Sequence, residues 1–275
     1  MAVRRGARKA GRTLRRTPGL TQAPVGGSTP HLGLVRASTS PSESGLMRKR
    51  ISVATYNVHR WTGINGRGAP DPARAGFVIS ELRADVIALQ EVLRPNRGED
   101  PLEAIADALG LHVAFACTRV HKRGELGNAI LSRWPISGVS VLDLPFSRME
   151  RRLAVAAQFA FEGGELDVVA THLALGDRTR HRQVRSLLDH PRFGGGPTLL
   201  LGDMNAWRQC KATRALDDEL HNNLRWPPSF PAARPVLALD RIYSRGVEIV
   251  AVRSHRSGAA RNASDHLPVV AEVQL

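Results

Sequence analysis

Cysteine is almost missing: Cys117 and Cys210 are the only two in 275 residues. Two thiols cannot build a disulfide framework, and neither has neighbours that suggest a nucleophile or a metal knuckle. The expectation is a pair of reduced, buried cysteines in a chain compatible with a bacterial cytoplasm. No run approaches the ~20 apolar residues of a membrane span, and no secretory apolar region occurs near the start. Repeats at the periods of solenoids or propellers are also lacking. Acids are scarce in one place only. Residues 1–50 carry eleven Lys and Arg against a single acid, Glu43, whereas the remainder has 28 bases and 24 acids. The formal net charge of +14 is therefore largely a property of the first segment, and it says little about the partners of the rest.

Residues 1–48, rich in Arg, Gly, Ser, Thr and Pro without apolar periodicity, read as a disordered basic extension. A transit-peptide reading is disfavoured, and Met47 is an alternative start that opens directly into the first strand. The extension is expected to make weak contact with anionic surfaces. Residues 49–275 read as one domain of alternating strands and helices, and a monomer is the expectation.

Strands are expected at Ile51–Val58, Asp85–Glu91, Leu111–Thr118, Gly127–Ser132 and Ile136–Leu144. A hairpin follows in Arg152–Phe161 and Glu165–Leu173, turning at Gly163-Gly164. Further strands fall at Pro197–Leu201, Val236–Ile242, Gly246–Val252 and Leu267–Val273. Asp71-Pro72 supplies an N-cap and a proline at the first helical position. Ala75, Val78, Ile79 and Leu82 then make a helical stripe; Pro101–Leu109 and Arg178–Leu188 are the other helices. Many strands, few helices and long connections suggest two packed sheets flanked by helices.

Six segments run out of an apolar stretch into an acid, amide or imidazole. They are Thr55-Tyr56-Asn57, Leu89-Gln90-Glu91, Thr171-His172-Leu173, Gly202-Asp203-Met204-Asn205, Leu239-Asp240 and Ser264-Asp265-His266. Strand ends gather at a rim in layered β proteins, so these side chains can converge. Clustered carboxylates repel unless a cation compensates. Asp, Glu and Asn oxygens suit Mg²⁺ or Mn²⁺, whereas zinc is disfavoured by scattered histidines and the missing cysteine cluster.

The order and spacing of these motifs resemble the endonuclease/exonuclease/phosphatase superfamily over residues 51–275. That resemblance implies an α/β (α+β) fold, a four-layer α/β/β/α sandwich of two mixed sheets with the site at one edge. It also implies divalent-metal-dependent hydrolysis of P–O bonds; nucleic acid is the leading substrate, a phospholipid or small phosphate ester the alternative, and a catalytically inactive nucleic-acid or membrane binding protein the reading of a different class. By resemblance Glu91 is the principal metal ligand, with Asn57 and Asp265 helping. Asp203 is the water-activating or second-metal carboxylate, and Asn205 holds a phosphate oxygen and can share the metal. His266 meets the scissile phosphate, near enough to count among the metal ligands, and is oriented by Asp240. His172 is a second phosphate-binding imidazole that can assist as an acid. The general base and the number of metals stay open. Local text such as Gly127-Asn128 and Glu150-Arg151-Arg152 resembles small bacterial members of unassigned substrate. Asn128, Arg151 and Arg178 are further candidates for binding phosphate.

Overall fold

The computed structural model describes residues 50–145, 151–161, 164–220 and 224–275, the side chains of His121 and Arg192 excepted. The basic extension, the Met47 start, Glu150 and the turn residue Gly163 lie outside the described residues. No helix among the described residues is long and apolar enough to cross a membrane.

Two sheets carry the chain. The first has six strands in the order β10 (Glu248–Ser254), β11 (Val269–Gln274), β1 (Arg50–Asn57), β2 (Val86–Pro95), β4 (Gly124–Ser132) and β3 (His112–His121). The second has five in sequence order: β5 (Gly138–Leu144), β6 (Arg152–Phe161), β7 (Gly164–His172), β8 (Thr198–Asp203) and β9 (Asp240–Arg245). Among the described residues only β1–β2 and β7–β8 pair in parallel. Those two junctions need crossover connections. The first contains α1 (Pro72–Leu82) and the second α3 (Asp177–Leu188).

Side-chain alternation explains the layering. In β8, Leu199 and Leu201 face the other sheet while Leu200 faces outward, and all three are fully buried. In β1, Ile51 and Val53 point inward while Ala54 and Tyr56 point the other way. Strands covered on both faces read as continuous apolar runs, as Leu199-Leu200-Leu201 does. Three cores result. One lies between the sheets, one packs α1 and α2 (Pro101–Leu109) on the first sheet, and one packs α3 and α4 (Lys211–Glu219) on the second. This is the expected four-layer α/β/β/α sandwich.

The helix starts obey their caps. Asp71 accepts from the Arg74 amide at 3.3 Å and Asp100 from the Leu102 amide at 3.0 Å, each just before a proline. The structure departs from the sequence reading at β9 and at α4, among other places. The strand expected at Val236–Ile242 begins instead at Asp240, because Phe230 and Leu237 pair in an isolated bridge that folds the preceding segment back on itself. Helix α4 was not expected. Its charged sequence hides a short stripe of Ala212, Thr213 and Leu216, and its cap is the unusual Cys210, whose amide donates to the Thr213 hydroxyl at 2.9 Å. Both cysteines are free and buried, as expected.

Leu199 sits at the centre of the inter-sheet core with no exposure. Leu199→Ala should cost about 2–5 kcal/mol, read as a lower urea midpoint at an unchanged slope. An unaltered midpoint would contradict this account of the core.

Candidate active site

Strand register assembles half of the cluster. His172 pairs with Asp203 across β7–β8, and Asp203 pairs with Asp240 across β8–β9, so three polar residues form one row at the end of the second sheet. Gly202 makes the row possible. A Cβ there would lie 2.0 Å from the Thr171 carbonyl oxygen, closer than any side chain can approach. The glycine of the Gly-Asp-Met-Asn motif is thus a packing requirement of the strand pair that aims Asp203.

The first sheet supplies the other half. Asn57 ends β1 and pairs with Gln90 of β2. The β2–β4 register shifts between Leu89 and Val92, and within that bulge Glu91 adopts a left-handed backbone at φ 53°. A bulge re-aims a side chain that strict alternation would send elsewhere. Glu91 thereby reaches the Asn57 amide at 3.4 Å, and the same amide nitrogen lies 3.2 Å from Asp203 Oδ2. Asn205 is also left-handed, at φ 50°. Its backbone N–H donates to Asp203 Oδ1 at 2.9 Å and its side chain to the Leu173 carbonyl at 2.9 Å.

His266 bridges the halves. The loop before β11 places its Nδ1 2.8 Å from Asp240 Oδ2 and its Nε2 3.7 Å from Asp203 Oδ2. Its ring packs on Phe230 at 4.9 Å between centroids. The Ser229 hydroxyl donates to Asp240 Oδ2 at 2.5 Å, and Asp240 is completely buried. Ser264 ties the loop back, donating to the Asn57 carbonyl at 2.7 Å. Asp265 faces His59 Nδ1 at 3.1 Å, and Arg60 Nε stands 3.4 Å from Glu91 Oε2.

Electrostatics separates the two histidines. Burial opposes charge on His266, but Asp240 and Asp203 outweigh it and push its pKa up to about 10. Burial, aided by the Arg152 cation, pushes His172 down to about 3 despite Asp203 at 3.4 Å. At neutral pH His266 is an imidazolium and His172 is neutral. Burial raises the Asp265 carboxyl; the imidazoles of His266 and His59 pull it down, and the Glu91 charge adds to the rise.

Asn57, Glu91, His172, Asp203, Asn205, Asp240, Asp265 and His266 therefore share one rim. His266 Nδ1 is taken up by Asp240, which leaves Nε2 as the ring nitrogen on the side of Asp203. Asn128 is buried, donates to the Leu153 carbonyl at 3.0 Å, and lines a small cleft with Glu91, Arg152 and His172. The two arginines are not joined to the cluster by any hydrogen bond or ion pair among the described residues. Arg151 is drawn to Asp143 at 2.7 Å, and Arg178 is exposed on the first turn of α3.

Several supporting residues had no sequence signal. Ser229 lies eleven residues before the acid it serves. Arg180, 1% exposed, donates to the carbonyls of Ala174 and Leu175 and holds the chain just after His172. Arg241 donates to the Ala206 carbonyl at 2.7 Å and fixes the chain just after Asn205. Buried arginines look like surface charge in a sequence. His59 follows Asn57 as a second polar residue at the end of the β1 run, and Arg60 is its neighbour.

Two outcomes follow for the metal-free protein. Nitrogen-detected NMR should show His172 neutral down to about pH 3 and His266 protonated up to about pH 10. Because the folded pKa of His266 exceeds its unfolded value, its stabilising contribution is full below about 6.5. It is then lost as pH rises through about 10. Asp240→Asn should lower that pKa, and an unmoved titration would refute the pairing. Gly202→Ala should destabilise by about 1–3 kcal/mol, measured by denaturation.

Comparison with known proteins agrees with this architecture. The model of the endonuclease/exonuclease/phosphatase family matches residues 54–266. An uncharacterized Escherichia coli K12 protein, YbhP, is 30% identical over 255 residues, covering 82% of this chain and 96% of its own. The crystal structure of an endonuclease/exonuclease/phosphatase from Beutenbergia cavernae superposes with a TM-score of 0.68 at 25% identity, over 83% of this chain and 72% of that one. The mannosyl-6-phosphatase Bt3783 of Bacteroides thetaiotaomicron superposes at 0.64 with 16% identity, over 82% and 100%, a likeness of fold alone. With the motifs in order, the sandwich in place and the polar rim assembled, the chain belongs to the endonuclease/exonuclease/phosphatase family of metal-dependent phosphoesterases.

Proposed function

We propose that this chain hydrolyses phosphodiester bonds of nucleic acid with the aid of Mg²⁺ or Mn²⁺. The observation that carries the reading is the Asp240–His266 pair, whose free ring nitrogen is aimed past Asp203 toward the rim that also holds Asn57 and Glu91.

The donors fit a hard dication. Glu91 and Asp265 are partly exposed carboxylates, and the rise in the Asp265 pKa reflects the burial and like charge that a cation relieves. Asn57 stands beside them, its amide nitrogen donating to Glu91; its oxygen, the atom a cation would take, accepts from the His59 N–H. Asp203, Asp240 and His266 also bring one ligand atom each within 4.8 Å of one another. Within that trio Asp240 Oδ2 and His266 Nδ1 are already engaged with each other, and the Ser229 hydroxyl also donates to Asp240 Oδ2. We therefore assign the metal to Glu91, Asn57 and Asp265, with Asp203 and Asn205 close by. When bound, such an ion polarises a phosphoryl oxygen and stabilises the leaving oxygen.

The chain's own groups do the rest. Asp203, fixed through Oδ1 by the Asn205 amide, accepts a proton from water as the water oxygen attacks phosphorus. His266 donates its Nε2 proton to the oxygen that leaves as the P–O bond breaks, while Asp240 holds the imidazolium by Nδ1. The neutral His172 hydrogen-bonds a phosphate oxygen, so the acid is His266 and not His172. Asn128, in the cleft beside Glu91, is suited to a second phosphate oxygen. The preference for nucleic acid over a lipid or small ester rests on the cations beside Glu91, since the fold itself does not choose.

The test is turnover by the full chain with Mg²⁺ or Mn²⁺ on plasmid, single-stranded DNA, RNA, lipid vesicles and small phosphate esters. Cleavage should be confined to nucleic acid and simple diesters and should vanish with a chelator. Cleavage of lipid alone would overturn the substrate. Glu91→Gln and His266→Gln should each lower turnover by roughly 10²–10⁴ with the folded spectrum retained. Persistent turnover in both would sink the site.

A further inference from the structure

We propose that the cleft between the His59–Trp61 turn and the β3–β4 hairpin binds a second, non-scissile phosphate of the same nucleic-acid strand. Arg60, Lys122 and Arg123 hold it. The inference rests on the nuclease reading above and extends it.

The cleft is walled by Arg60, Thr62, Lys122 and Arg123 over a floor of Leu93 and Leu126, and no carboxylate lines it. Leu126 also lines the smaller cleft that contains Glu91, Asn128 and His172, so the two abut. A strand whose reacting phosphate sits at Glu91 would therefore run its neighbouring phosphate into this acid-free, cationic space. Guanidinium groups present forked donors suited to phosphate.

Two backbone features hold the cations in place. His59, Arg60 and Trp61 are three consecutive non-glycine residues in the left-handed region, at φ 46°, 57° and 63°. Such residues cost on the order of 1 kcal/mol each, and strain of this kind persists only where the surroundings fix it. Here the His59 amide donates to Asn57 Oδ1 at 3.0 Å, the Thr62 hydroxyl to the His59 carbonyl at 2.6 Å, and the buried Trp61 ring N–H to the Leu93 carbonyl at 2.7 Å. The turn sets Arg60 between Glu91 and the cleft. Its Nε is buried and makes no hydrogen bond, even at 3.4 Å from Glu91 Oε2. On the other wall, Asn96 donates through its backbone to the Arg123 carbonyl at 3.2 Å and through its side chain to the Lys122 carbonyl at 3.4 Å. The hairpin backbone is pinned, and both side chains are exposed at the rim.

The experiment compares the full chain with its Lys122→Gln/Arg123→Gln double variant. One substrate is a short DNA oligonucleotide, the other bis(para-nitrophenyl) phosphate, which has no neighbouring phosphate. The ratio of kcat/KM for the oligonucleotide to that for the ester should fall roughly tenfold, through KM. Without added metal, fluorescence anisotropy of a labelled oligonucleotide should show the slope of log K against log salt reduced by about one to two. An unchanged ratio together with an unchanged slope overturns the subsite. If the unaltered protein cleaves the ester but no nucleic acid, the nuclease reading fails separately. The subsite is then scored by inhibition. A nucleoside 3′,5′-bisphosphate should inhibit more tightly than the 5′-monophosphate, and the double variant should erase the difference. Equal inhibition by both in the unaltered protein overturns the proposal.

Discussion

Asp203 and Asp240 stand opposite each other on neighbouring strands, almost wholly out of water. Like charges in that relation are destabilising, and burial makes the repulsion worse. The His266 imidazolium resolves it, bonded to one carboxylate and within ion-pair range of the other. Ser229 donates to Asp240 Oδ2 and the Asn205 N–H to Asp203 Oδ1, while Asp240 Oδ1 is buried without a hydrogen bond. Much of the surrounding structure serves that arrangement. The start of β9 at Asp240 puts that residue in the row, the loop before β11 delivers the imidazole, and Phe230 packs on its face.

Regular secondary structure yields wherever the cluster needs an unusual aim. Glu91 leaves the β2 ladder through a bulge, Asn205 turns left-handed straight after β8, and the chain beyond Asn57 makes three such residues in succession. The Glu91 bulge lies within β2, whose ladder resumes at Val92, whereas the other departures lie just beyond the ends of β8 and β1. The buried Arg241 then fixes the Ala206 carbonyl just after Asn205, and the buried Arg180 fixes the chain after His172.

The parts that were legible in the sequence are those with strong local signatures. Alternation revealed β6 and β7, Asp71-Pro72 and the apolar stripe after it revealed α1, and polar residues closing apolar runs pointed to the eight residues that meet at the rim. Motif order, by resemblance, supplied the layering. What the sequence hid was long-range. Nothing near Asp240 announces that a serine eleven residues earlier will cap it. Nothing distinguishes Arg180, sealed under a loop, from the exposed Arg178 two residues before it. Helix α4 escaped because its apolar stripe spans barely one turn amid charge. The start of β9 was misplaced because the Phe230–Leu237 bridge diverts residues that otherwise read as strand.

The cluster also straddles a seam. Asn57 and Glu91 belong to the six-stranded sheet, whereas His172, Asp203 and Asp240 belong to the five-stranded one. Either sheet could form its own ladder and still present only half of the polar set. Competence is thus a property of docking: it arrives when Leu199, Phe159 and their counterparts interlock, and not before. During refolding, enzymatic recovery would then mark the closing of that interior, whereas circular dichroism would register strands that had paired earlier.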